Sequence, residues 1–248
     1  MTTDIPTNPD PAGAPPVVTL TAWRDAHDEL LVQEKAHTHA GDALAAARRR
    51  MPMTELPDVV VEGDDGPTPL LDLFGDHDQL ILYKHMWHDG QPIEGQCEGC
   101  TLAVWDATHG TPYLESRGIS FAVLFEGAWA EARELRDFMG YPVPCFSVHD
   151  VDDPILGTGF GEFLFLLRRD GKPYLTYAVT GRGTEAMLSS MQLIDRTVYG
   201  RGERWEDSPA GWPQDRDASW WWRQDGRPAA QWARPGATPV DPRAHHHG

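Results

Sequence analysis

Two thiols separated by Glu98 and Gly99 stand in the stretch Leu80 to Asp106, LILYKHMWHDGQPIEGQCEGCTLAVWD. A cysteine pair at this spacing suits thiol–disulfide exchange. One thiolate attacks a disulfide sulfur and forms a mixed disulfide, and a second thiol one helical turn on attacks that bond and releases the product. The first sulfur must be ionised. A helix start favours this, because its unsatisfied N–H groups and partial positive charge stabilise a thiolate. Cys97 is therefore the expected nucleophile, with its sulfur near solvent, and Cys100 the expected resolving thiol. Glu98 and Gly99 are expected to modulate the pair, since a carboxylate beside a thiolate opposes its ionisation.

Two other readings of the same residues stay open. The pair could be half of a zinc site, with His85, His88, His109, Cys145 or His149 as further ligands, although no second Cys-x-x-Cys or His-x3-His follows. It could also be a structural disulfide or two inert thiols.

The elements around the pair favour the redox reading. Leu80–Trp87 is a short apolar run that reads as a buried strand. Leu102, Ala103 and Trp105 then sit at helix-compatible spacing. Gly118–Phe125 is a second buried strand, Ala128–Met139 an amphipathic helix stopped by Gly140, and Cys145–His149 a short strand. Cys145 lies in an apolar stretch and is expected to be buried and inert. Residues 150–161 form a loop. Phe163–Leu167 and Tyr174–Val179 flank an Asp170-Gly171 turn and predict a β-hairpin. Thr184–Tyr199 is predicted as a helix with Met187, Leu188, Met191 and Ile194 inward. The order β-α-β-α-(β)-β-β-α implies an α/β fold, a three-layer α/β/α sandwich.

Upstream, residues 1–17 hold five prolines and are expected to be disordered. A helical arm follows over 18–52. Thr21 is its candidate N-cap, Trp23, Ala26, Leu30 and Leu31 its apolar stripe, Gly41 a candidate break, and Met51-Pro52 its end. Val59–Glu62 and Thr68–Leu71 predict a hairpin, with Leu70–Phe74 as an alternative helical turn. The core domain is assigned to 53–200 and a tryptophan-rich extension to 201–248, where six of the ten tryptophans lie. Trp220–Trp222 are expected to dock on the core or on the arm, since burying large rings offsets the entropy of ordering them, with a partner-binding or substrate-cleft role as the alternative.

Composition excludes several classes. With 21 basic against 38 acidic residues the formal charge is −17, which disfavours nucleic acid and anionic membrane as partners. The three cysteines are too few for a secreted disulfide framework, no apolar run is long enough to span a bilayer, and no signal peptide is expected. A cytoplasmic protein without a bound cofactor or metal is the expectation.

Trp23, Glu29-Leu30-Leu31, Arg48-Arg49-Arg50-Met51-Pro52-Met53, Leu71-Asp72-Leu73-Phe74, Gln79–Tyr83, Cys97-x-x-Cys100, Arg168–Gly171, Arg182-Gly183 and Trp221-Trp222-Arg223 together resemble the bacterial family catalogued as domain of unknown function 899. That family is described as thioredoxin-like and as predicted dithiol–disulfide oxidoreductases. The resemblance, over most of residues 20–223, implies a thioredoxin-like fold behind the helical arm. It supplies no substrate. The pair is expected to exchange electrons with a disulfide-containing protein or a small thiol compound, fed by an external reductant. The comparison with thioredoxins further implies that the loop at Gly161 and Glu162 faces the substrate. A non-catalytic redox-sensing or binding module on the same fold is the alternative. The sequence departs from thioredoxins at Gln96, where they carry tryptophan, at Glu98-Gly99 in place of Gly-Pro, and at Gly161-Glu162 in place of a cis-proline.

Overall fold

The computed structural model describes residues 13–224 and 227–233, so residues 1–12 of the expected disordered tail and the terminal His245–His247 lie outside the described residues. In chain order the elements are helix α1 (Leu20–Arg48), strands β1 (Thr54–Glu55), β2 (Val60–Gly63), β3 (Gly66–Pro69) and β4 (Gln79–His85), and helices α2 (Glu98–Thr108) and α3 (Thr111–Glu115). Then come β5 (Ile119–Phe125), α4 (Trp129–Met139), β6 (Cys145–Ser147), β7 (Glu162–Arg169), β8 (Lys172–Thr180), α5 (Ser189–Ile194), β9 (Arg223–Gln224) and β10 (Arg227–Pro228). The chain divides into two units.

The first unit comprises the residues up to Met51 together with Leu193–Trp220. Its α1 is one unbroken 29-residue helix capped by Thr19, whose hydroxyl accepts from the Ala22 N–H, rather than by Thr21. Gly41 does not break it, since one glycine costs only about 1 kcal/mol in a helix of strong formers. The expected apolar stripe is not buried: Trp23 and Leu30 are exposed. Residues 13–19 have no regular structure, but the Tyr199 hydroxyl donates to the Gly13 carbonyl. The 193–220 segment is held by polar contacts. Arg201 grips both carboxylate oxygens of Asp195 at 2.7 and 2.8 Å, and the Trp220 indole N–H donates to the Arg201 carbonyl.

The second unit comprises Pro52–Gln192 and the residues from Trp221 on. Its sheet runs β1-β8-β7-β4-β5-β6-β2-β3. β4 is parallel to β5 and antiparallel to β7, so Tyr83 lies between Val123 and Phe163. The β7–β8 hairpin forms as predicted, with Asp170 and Gly171 both at positive φ, the geometry of a tight hairpin turn. Two parallel strands joined through α2, with an antiparallel hairpin on the other side of β4, give the thioredoxin-like α/β fold.

Side chains alternate across this sheet with a period of two. Tyr83, Phe121, Val123, Phe125 and Phe163 join α2, α4, Leu188 and Met191 in one core. Leu80, Leu82, Ala122, Leu124, Leu164 and Leu166 join Leu70, Leu73, Phe74, Val148 and Leu156 in the other. The crossovers β4-α2-β5 and β5-α4-β6 advance in the same direction, so both helices cover one face. The opposite face is covered by the 3-10 turn Leu70–Phe74 and the loop after β6.

The predicted helix over Thr184–Tyr199 is interrupted. Leu188 is extended between a 3-10 turn (Gly181–Met187) and α5, because the Asp106 carboxylate captures the Ser190 N–H at 2.9 Å and its hydroxyl at 2.7 Å. The break keeps Leu188 and Met191 buried and leaves Met187 exposed. Among the described residues no helix is long and apolar enough to cross a membrane.

His85 closes β4 fully buried against the Phe125 ring, its Nδ1 on the Met86 carbonyl at 2.7 Å. Burial lowers its pKa to about 4. An unfolded chain takes up this proton near pH 6.5, so stability is lost as pH falls from about 6.5 to about 4, to a limit of about 3 kcal/mol. His85→Phe is expected to lessen that acid-induced loss in urea denaturation at stepped pH. An unchanged pH dependence would show that His85 does not carry it.

Candidate active site

The site begins with the loop that leads from β4 into α2. Gln96, in the position where thioredoxins carry tryptophan, is buried and laces this loop together. Its amide oxygen accepts from the His88 N–H at 2.9 Å, and its amide nitrogen donates to the carbonyls of His88 and Gln91 at 3.1 and 3.2 Å. The loop delivers Cys97 to the N-cap of α2. There its sulfur accepts from the Cys100 N–H at 3.4 Å, and its carbonyl receives the Thr101 N–H at 3.0 Å.

The two sulfurs are unequal. The hydrogen bond from the Cys100 thiol lowers the pKa of Cys97 below the ordinary thiol range, against burial and the Glu98 charge; the Cys100 and Gly99 N–H groups add to the lowering. Burial pushes Cys100 well above that range. The Cys100 sulfur accepts from the Met86 N–H at 3.4 Å and is hydrogen-bonded to the Tyr83 hydroxyl. Cys145 is buried among apolar neighbours, and burial pushes its pKa up to about 12. All three cysteines are free thiols.

The tryptophan-rich extension supplies the rest. Arg223 donates to the Glu94 carbonyl, to the Gln96 carbonyl at 2.6 Å and to the Glu98 carboxylate at 3.0 Å, and so clasps both the loop and the first turn of α2. Burial would raise the Glu98 pKa, but the hydrogen bond and charge of Arg223 outweigh it, and the carboxylate stays below its usual range. Trp222 lies against Gly99: a Cβ there would stand 2.8 Å from the indole ring, so the position between the cysteines has no room for a larger residue.

These groups line a cleft of about 390 Å³ walled by Tyr83, Met86, Leu188, Met191 and Trp222, with Cys97, Glu98, Gly99 and Cys100 on its floor. Cys97 is only 7% exposed, so the expected sulfur near solvent is corrected to one reached through the cleft; Trp222, with the other apolar side chains packed around it, shields it. Of the two residues expected to face a substrate, the structure brings only Gly161 to the cleft. It is in the left-handed region (φ 81°), with its N–H on the Lys84 carbonyl. Glu162 lies across from Lys84 on the other face of the sheet, where that fully buried ammonium bonds its carboxylate at 2.9 Å and the carbonyls of Ile155 and Thr158. Among the described residues no three His, Cys, Asp or Glu side chains are grouped to hold a metal ion, and His85, His88, His109, Cys145 and His149 do not assemble around the dithiol.

Residues 12–226 match the bacterial protein family of unknown function DUF899. The chain belongs to this family. No curated protein matches it. Among solved structures, this DUF899 member is similar to peroxiredoxin Q of Xanthomonas campestris, at 17% identity and a TM-score of 0.39, over 56% of this chain and 96% of that one. It is also similar to peroxidoxin BcpB of Mycobacterium tuberculosis, at 12% identity and a TM-score of 0.41, over 58% and 97%. A yeast mitochondrial 1-Cys peroxiredoxin matches at 17% identity and 0.38, over 59% and 78%.

Sequence reasoning missed Tyr83, Arg223 and the Leu188–Met191 wall as parts of the site. The tryptophan run was the one visible signal for the extension, and Arg223 directly follows it. Arg223→Ala is expected to raise the Cys97 pKa, by removing a cation and leaving the Glu98 charge unopposed. Glu98→Gln is expected to lower it. Thiolate absorbance against pH reads both, and shifts of the same sign in the two variants would contradict the arrangement.

Proposed function

We propose that this protein is a thiol–disulfide oxidoreductase that uses Cys97 as nucleophile and Cys100 as resolving thiol. The observation that carries this reading is the placement of the pair: the Cys97 sulfur caps a helix N-terminus and accepts the Cys100 N–H, while Cys100 is buried one turn on. The directions in which the two thiol pKa values move agree with it. The Cys97 thiolate attacks one sulfur of R–S–S–R, forming Cys97–S–S–R and expelling RS⁻. Cys100 then loses its proton and attacks the Cys97 sulfur, forming the Cys97–Cys100 disulfide and expelling the second RS⁻, which takes that proton. The net reaction converts a dithiol and a disulfide into a disulfide and two thiols, and an external dithiol reductant returns the pair to its starting state. Tyr83 and the Met86 N–H are placed to stabilise the Cys100 thiolate while it attacks or leaves. Free thiols and an exchangeable pair suit a reducing compartment such as the cytoplasm.

A second reading has one observation behind it: the Trp222 ring sits on Gly99, between the cysteines, so a change in their oxidation state would be felt by the extension. In that sensing role the protein would oxidise once without turning over. Steady turnover of a disulfide with an excess of dithiol reductant separates the two.

Cys100→Ser is expected to accumulate a mixed disulfide on Cys97, visible as an added mass, because the resolving step is gone. Cys97→Ser is expected to lose both exchange and trapping. In the unaltered protein, brief alkylation should label Cys97 first and leave Cys145 untouched. Full exchange activity in the Cys97→Ser protein would overturn the assignment.

A further inference from the structure

The cleft above Cys97 has a chemical character of its own. Trp222, Met86, Met191, Leu188 and Tyr83 make most of its wall apolar, and Arg182, Thr184 and Glu185 also line it. Charges at its edge are matched: Glu98 is bonded to Arg223 at 3.0 Å and Arg182 to Glu185 at 3.2 Å. Glu162, in register with Lys84 and bonded to it, lies on the opposite face of the sheet from the cleft. A volume of about 390 Å³ lies in the lower part of the range of about 300–1,000 Å³ for small-molecule sites. The sulfur of a cysteine only 7% exposed, at the floor of such a cleft, is reached by a compact ligand far more readily than by a disulfide fixed in a folded surface.

We propose that the substrate of this site is a neutral, low-molecular-weight disulfide with a flat apolar substituent, which packs on Trp222 and the methionines while its sulfur meets Cys97. This inference rests on the thiol–disulfide exchange reading above and adds the substrate class. An aromatic substituent gains stacking on the indole and contacts with the thioethers. An anionic disulfide finds its nearest cations already engaged by carboxylates and approaches a chain of formal charge −17. A protein disulfide would have to thread a loop into the cleft or displace the Trp222 wall.

The test uses the full chain, reduced and freed of reductant, in single-turnover reaction with four disulfides. These are 4,4′-dithiodipyridine (neutral, aromatic), 5,5′-dithiobis(2-nitrobenzoate) (anionic, aromatic), oxidised glutathione and insulin. Each rate is divided by that of the same disulfide with dithiothreitol, which removes its intrinsic reactivity. The neutral aromatic compound is expected to show a normalised rate at least about tenfold above each of the other three. Trp222→Ala is expected to collapse that preference, and Trp222→Phe to restore most of it. The preference in the unaltered protein stands as a result even if Trp222→Ala does not fold. If exchange runs through Cys97 but insulin, glutathione disulfide or the anionic aromatic compound reacts as fast or faster, the substrate class is wrong and the exchange reading survives. If no disulfide reacts faster with the protein than with its Cys97→Ser variant, both fall.

Discussion

The arrangement depends on where one sulfur lies relative to one row of backbone amides. Cys97 is the N-cap of α2, and its sulfur accepts the Cys100 N–H. A helix N-terminus stabilises a nearby anion by about 0.3–1 kcal/mol when exposed and by up to about 2 kcal/mol when partly buried. Burial is a second source of the inequality between the two cysteines. Cys100 is 1% exposed, desolvation holds its proton, and that retained proton is donated toward Cys97. One buried thiol thus raises its own pKa and lowers its neighbour's. The sheet makes this possible by burying Cys100 against Tyr83 while leaving Cys97 at a cleft.

What the sequence disclosed follows from range. The β7–β8 hairpin, the buried strands and the helix stop at Gly140 are local: apolar runs, a turn that needs positive φ, and breaker residues announce them. The Cys-x-x-Cys pair and its strand-loop-helix setting were legible for the same reason. The break at Leu188 was not, since it is imposed by Asp106, 84 residues away. Nor was the Arg223 clasp, which joins residues 125 positions apart. The α1 stripe shows the limit of pattern: it marks which residues would gain from burial, and Trp23 and Leu30 are exposed.

The departures from thioredoxin at the pair make physical sense once the extension is in place. Glu98 opposes ionisation of Cys97, but it is also the anchor for Arg223, whose charge offsets it within the same first turn. Gly99 is the residue over which the Trp222 ring passes, at a distance that admits no Cβ. The sequence Cys-Glu-Gly-Cys is therefore matched to Trp222-Arg223, a carboxylate for the guanidinium and an empty side for the ring. The opposition of Glu98 to the Cys97 thiolate, visible in the motif alone, is thus offset by a residue that the motif does not contain.

Strand β4 shows how one stretch of backbone serves both the stability of the sheet and the chemistry of the cleft. Tyr83 points to the α2 face and bonds the Cys100 sulfur. Lys84, its neighbour, points to the opposite face by the alternation of a strand. A buried ammonium is tolerable only when its hydrogens are met, and Glu162 with two loop carbonyls meets them. The same contacts fix the loop before β7, where Gly161 has its N–H on the Lys84 carbonyl at the cleft wall. Glu162, in register with Lys84, shares its face, so the ion pair and the apolar wall lie on opposite sides of one sheet. The polar network and the apolar cleft are two consequences of one strand register, and shifting that register by one residue would exchange Tyr83 and Lys84 and destroy both.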